Sequence, residues 1–142
     1  MRTLTLAVTL LLLAAGGCKD PLDEYIEVYT DRAQATCKCA YDLVDPPFAS
    51  AGACDDSLHV DGGTYECLHA HLDENDEALE VLHCRIDAET ELAACINALC
   101  PLTAMTKATA YSKCMGEYGE GVDDCPALTA ADQNQVTACV TK

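Results

Sequence analysis

The chain has 142 residues, with 24 acidic against 8 basic side chains, a formal charge of −16, eleven cysteines, one phenylalanine and no tryptophan. A surface this acidic repels phosphate backbones and anionic head groups, which argues against nucleic-acid binding and against membrane attachment through a basic patch. The length suits one domain rather than two. With so few large aromatics, the core must be built from Ala, Leu, Val, Ile and cystine, and disulfides supply part of the stability.

In chain order, the first element is the stretch MRTLTLAVTLLLLAAGG, residues 1–17. It has one charge at Arg2, an apolar run too short to span a bilayer comfortably, and then small residues, the composition of an export signal. It ends on Ala15-Gly16-Gly17-Cys18. That junction resembles the lipobox of bacterial lipoproteins, although Ala15 stands where leucine is commonest. The resemblance implies cleavage before Cys18, lipidation of Cys18, and attachment to a membrane through N-terminal acyl chains. Lys19, rather than aspartate, follows the cysteine, which in a Gram-negative cell implies the outer membrane, with the body facing the periplasm or the surface. Every acidic residue follows residue 17 and only Arg2 is lost with the leader, so the mature charge moves from −16 to −17.

Residues 18–21 then form a short tether, and residues 22–142 a single domain. The stretch from Leu22 to Val44 sets Leu22, Tyr25, Ile26, Tyr29, Ala33, Ala40, Leu43 and Val44 on one helical stripe. Asp45-Pro46-Pro47 stops it. Residues 45–63, rich in Pro, Gly, Ser and Asp, read as a long loop held by Cys54. A short helix from Thr64 to Leu72 follows, then a long one from Glu74 to Leu99 with Ala78, Leu79, Leu82, Ile86, Ala93 and Ile96 on its apolar face. Pro101 separates this from a helix over residues 102–118. A second loop, GEYGEGVDDCP, is held by Cys125. A last helix lies within residues 126–140, with Thr129 as N-cap and Asp132 as its partner three residues on. The expected architecture is all-α: a small bundle of four or five short helices cross-linked by up to five disulfides.

The odd cysteine count follows from the lipobox. Without Cys18, ten remain: Cys37, Cys39, Cys54, Cys67, Cys84, Cys95, Cys100, Cys114, Cys125 and Cys139. An even set in an exported chain is a disulfide framework, with on the order of a thousand possible pairings. Cys37 and Cys39 point about 200° apart on a helix and should bridge to different neighbours. Cys84 and Cys95, three turns apart, share a meridian outside the apolar face and need partners along that flank, from the Cys54 loop or the first helix. Cys100 reads as core-facing, within reach of Cys114 or Cys139.

No motif for catalysis is present: no phosphate-binding glycine loop, no nucleophile elbow, and no free thiol once the cysteines pair. No cofactor is implied. The segment CLHAHLDENDE carries His69, His71 and Asp73, which are competent metal ligands, but the two histidines diverge on a helix. Asp55 and Glu66 bound a twelve-residue stretch that departs from a calcium-binding loop at His59 and Val60. These five residues are loose candidates, and no metal site is defined. The sequence therefore points to a non-catalytic, lipid-anchored envelope protein with a structural or interaction role, whose partner is an unidentified envelope protein. A cation- or ligand-binding module and a thiol-disulfide protein using Cys37 and Cys39 are the alternatives.

Overall fold

The computed structural model describes residues 19–140, so the leader and Cys18 lie outside the described residues. Helix α1 (Pro21–Cys39) begins at Asp20, whose carboxylate accepts from the Leu22 N–H at 2.8 Å. Pro21 sits in the first turn, where its missing N–H costs nothing, and Asp23 and Glu24 complement the helix dipole. The helix stops short of the expected Val44. Ala40 N–H still bonds the Thr36 carbonyl, but the Tyr41 carbonyl accepts from Phe48 N–H at 2.9 Å, which turns the chain back.

The stretch expected to be a long loop contains helix α2 (Ala51–Leu58). Ser50 caps it by accepting from Ala53 N–H at 3.1 Å, and Cys54 ties it to Cys37. A capping serine and a cross-link outweigh the poor propensity of Gly52 and the flanking residues. Helix α3 (Gly62–Leu72) is capped by Asp61, and helix α4 (Asp76–Asn97) by Asn75, which accepts from Ala78 N–H at 3.0 Å. Helix α5 (Ala104–Asp123) runs on through Gly116, Gly119 and Gly121, residues expected to lie in the second loop. Tertiary contacts hold this part helical: Tyr118 donates to Glu89, Cys125 is bridged to Cys84, and at Gly121 a Cβ would sit 3.2 Å from that of Ala88. Helix α6 (Ala130–Val140) starts as expected, with Asp132 N–H donating to Thr129 Oγ1 and the Thr129 hydroxyl donating back to the Asp132 carboxylate at 2.6 Å.

These six helices, with no strand among the described residues, make the expected all-α architecture; α2 is the element beyond the four or five expected. Helix α4 is central, with α1 and α5 packed along it, α2 against α1, and α6 against α3. Two apolar clusters result. One gathers Ala35, Cys39, Ala40, Leu92, Ile96, Leu99 and Cys114; the other Leu22, Leu68, Leu72, Ala78, Leu82 and Cys139.

Five disulfides join the ten cysteines: Cys37–Cys54, Cys39–Cys100, Cys67–Cys139, Cys84–Cys125 and Cys95–Cys114. Cys37 and Cys39 do go to different neighbours. The expected partners of the α4 cysteines are corrected: Cys84 and Cys95 meet α5 and the segment after it, because α5 occupies the flank assigned to α1 or the Cys54 segment. Cys100 is exposed, in the turn after α4, and pairs with Cys39 rather than with Cys114 or Cys139.

Candidate functional site

Three polar or apolar features stand out against this frame. The first is a buried ion cluster between the two apolar clusters. Glu89, on the apolar face of α4, is 1% exposed. Its Oε2 lies 2.7 Å from Arg32 Nε of α1, an ion contact rather than an aligned hydrogen bond, and its Oε1 accepts from Tyr118 of α5 at 2.8 Å. The Arg32 guanidinium also covers the Tyr29 ring at 4.6 Å, and the nearby Arg85 Nε is buried without a hydrogen-bond partner. One carboxylate thus joins three helices.

Burial pushes the Tyr25 phenol up to about 12, and the Glu89 charge adds to this. Burial, followed by Glu89, also holds Tyr118 well above the ordinary tyrosine value. Both phenols are therefore neutral in the folded protein at pH values where an unfolded chain, with an ordinary value of 10.0, ionises them. The stability this contributes is fully present below pH 10.0 and is lost as the pH rises through the native values. Phenolate absorbance on alkaline titration should show Tyr25 ionising near pH 12 in the folded protein. Ionisation of all six tyrosines near 10, with native far-ultraviolet circular dichroism retained, would contradict this burial.

The second feature ties α3 to α1. His69 Nδ1 lies 2.6 Å from Asp73 Oδ1 and Nε2 lies 3.1 Å from Asp23 Oδ1, while the Tyr65 hydroxyl donates to the same Asp23 oxygen at 2.6 Å. The Tyr65 ring leans on the imidazole with centroids 4.2 Å apart. The Tyr65 hydrogen bond holds the Asp23 carboxyl below its ordinary value; desolvation opposes this and His69 assists it. A lowered carboxyl pKa means that the clamp contributes stability above the ordinary value of 3.8, and that this is lost as the pH falls through the lowered native value. Tyr65→Phe should therefore move the Asp23 titration, followed by carboxyl carbon NMR, up towards 3.8. An unmoved titration would remove the tyrosine from the clamp.

The third feature is an apolar cavity of about 110 Å³ between α1, α3, α4 and α6, whose lining includes Leu22, Ile26, Leu68, Leu72, Leu82 and Val136. It is smaller than the roughly 150 Å³ apolar cavity that accepts benzene.

The structure separates the loose metal candidates. His69 and Asp73 meet, but the imidazole is used up by the clamp, with one ring nitrogen facing Asp73 and the other engaged by Asp23. His71 lies apart from them, with its ring nitrogen near the Cys67 and Cys139 sulfurs. Asp55 falls inside α2 and Glu66 inside α3, so the twelve residues they bound are two helices joined by a three-residue link, not a loop able to wrap a cation. Cys37 and Cys39 are both buried and bridged to different partners, so they do not form a mutual redox couple. Sequence reasoning missed Glu89 and the Asp23–His69 pairing. A lone acid seven residues after Leu82 and seven before Ile96 was a readable signal for the first; nothing local marked the second.

The fold and these features define a small, acidic, all-α, disulfide-cross-linked protein. Comparison with protein-family models, with characterised proteins and with solved structures finds no match. Among the described residues no helix is long and apolar enough to cross a membrane. Five disulfides fit an oxidising, non-cytoplasmic compartment.

Proposed function

We propose that this chain is an exported lipoprotein whose helical body is held at the bacterial envelope, at the outer membrane in a Gram-negative cell, by acyl chains on Cys18. There it serves as a non-catalytic structural or interaction protein. The observation that carries this reading is the cysteine count: five bridges use all ten cysteines that follow the Ala15-Gly16-Gly17-Cys18 junction. Asp20 already caps α1, so Lys19 alone separates Cys18 from the folded body. At about 3.5 Å per residue, Cys18 and Asp20 stand roughly 7 Å apart at most, and the body rests against the surface in which the acyl chains are embedded. An acidic body is repelled by anionic head groups, so the acyl chains supply the attachment. A body fixed this closely, with bridges tying α1 to α2 and to the turn after α4, presents a stiff surface to whatever envelope protein meets it.

The test is Cys18→Ser with fractionation and metabolic labelling by a radioactive fatty acid. Wild type should carry label and sediment with membranes, and the variant should be unlabelled and soluble. A variant that still sediments with membranes, or an unlabelled wild type, would overturn the lipid anchor.

A further inference from the structure

We propose that Cys67, His71 and Cys139 form a redox-gated site for a thiophilic divalent cation, closed as a disulfide in the oxidised protein and open to zinc once that bridge is reduced. Among the described residues this is the one cluster in which three metal-ligating side chains converge, with all ligand atoms within 4.8 Å of one another. Cys67 and His71 are four residues apart on α3 and so share one helix face, while Cys139 reaches them from α6. Two thiolates and one imidazole are a ligand set for zinc or cadmium, with a fourth position left to solvent on the side of the exposed His71.

The geometry asks for little movement. Tetrahedral bonds of about 2.3 Å place two sulfurs roughly 3.8 Å apart, a separation that side-chain rotation supplies once the S–S bond is gone. A dithiol reductant attacks Cys67, the less buried half of the bridge, and expels the Cys139 sulfur as thiolate. The reductant's second thiol then closes on the first and leaves as its own disulfide. Cys67 and Cys139 have gained two electrons and two protons, and the metal displaces those protons as the thiolates bind. The same bridge joins α6 to α3, so its state also bears on how Val136 and Val140 cover the apolar cavity.

The experiment treats the folded protein with a phosphine reductant, which yields two thiols per bridge and takes its oxygen from water. Cadmium is present as probe, and free thiols are then alkylated and mapped. The expected result is one cadmium per chain with a thiolate-to-cadmium charge-transfer absorption, and Cys67 and Cys139 protected from alkylation. His71→Ala should weaken the affinity at least tenfold; because His71 is exposed, the oxidised variant should keep native circular dichroism. Absence of the absorption, protection of a different cysteine pair, or an affinity unchanged by His71→Ala would each overturn the site. So would a bridge that opens only with loss of the native circular dichroism.

Discussion

Replacing Glu89 with alanine is expected to lower the unfolding free energy by about 3–5 kcal/mol, the cost of breaking a buried ion pair from one side. Glu89 is 1% exposed and touches both Arg32 and Tyr118. Its removal strands a half-buried guanidinium beside Tyr29 and leaves a phenol without its acceptor, as well as opening a void. The loss comes from the uncompensated partners rather than from the pair's own net value, so removing the partners together has the opposite effect. Glu89→Leu combined with Arg32→Met and Tyr118→Phe should recover most of the stability, since apolar groups of like volume replace the whole network. Urea denaturation with the bridges intact measures both variants. A single-variant loss below about 1 kcal/mol would show that the cluster is solvated and not a buried layer.

The bridges should differ in worth according to the chain they enclose. Cys39–Cys100 closes a span of 61 residues and Cys37–Cys54 one of 17. Chain-entropy reasoning gives about 4 kcal/mol for the first and about 3 kcal/mol for the second. Packing does not set the order, since Cys39 is 3% exposed beside Leu92, Ile96 and Leu99 while Cys37 and Cys54 are 5% and 0% exposed, so trimming either bridge to alanine leaves a cavity; the difference rests on the enclosed span. Equilibrium unfolding of the Cys39→Ala/Cys100→Ala and Cys37→Ala/Cys54→Ala proteins should therefore show the former less stable. The reverse order would mean that the α2 segment, not the joint between α1 and the turn after α4, is the constraint that matters.

Periodicity read the bundle well where a helix has one apolar stripe. The stripe from Leu22 to Val44 placed α1, though it ran past the helix end at Cys39, and the Thr129–Asp132 pair marked the start of α6, because both signals are local. The readings failed where tertiary contacts decide. Glycines at 116, 119 and 121 suggest a loop, yet Tyr118 on Glu89, the close approach of Gly121 to Ala88 and the Cys84–Cys125 bridge keep the segment helical. The partners of Cys84 and Cys95 were misassigned for the same reason, since no spacing says which helix will lie along a flank. The C-x-C pair was legible because helix geometry alone sends Cys37 and Cys39 in different directions. The Asp23–His69 clamp spans 46 residues, and its pairing exists only once α3 has been laid beside α1.

The framework also explains how so small a share of aromatics suffices. Cys39, Cys54, Cys114 and Cys139 are all buried, so cystine sulfur fills core volume as well as closing loops. Asn75 Nδ2 donates to Asp132 at 2.8 Å, stitching the start of α4 to the start of α6. Asn75→Ala is expected to cost roughly 1–3 kcal/mol, because it removes the α4 cap and leaves one oxygen of a buried carboxylate without this donor. Thermal melts of the variant check it, and an unchanged midpoint would place both groups in solvent.

Intact mass with non-reducing peptide mapping, on protein from the membrane fraction, reads the proposed acylation of Cys18 and the cross-linking of the helical body in one experiment. The expected chain begins at Cys18, carries the mass of its acyl groups, has no free thiol, and yields the pairs 37–54, 39–100, 67–139, 84–125 and 95–114. An unacylated Cys18, or Cys18 disulfide-bonded to any of the other ten, would contradict it.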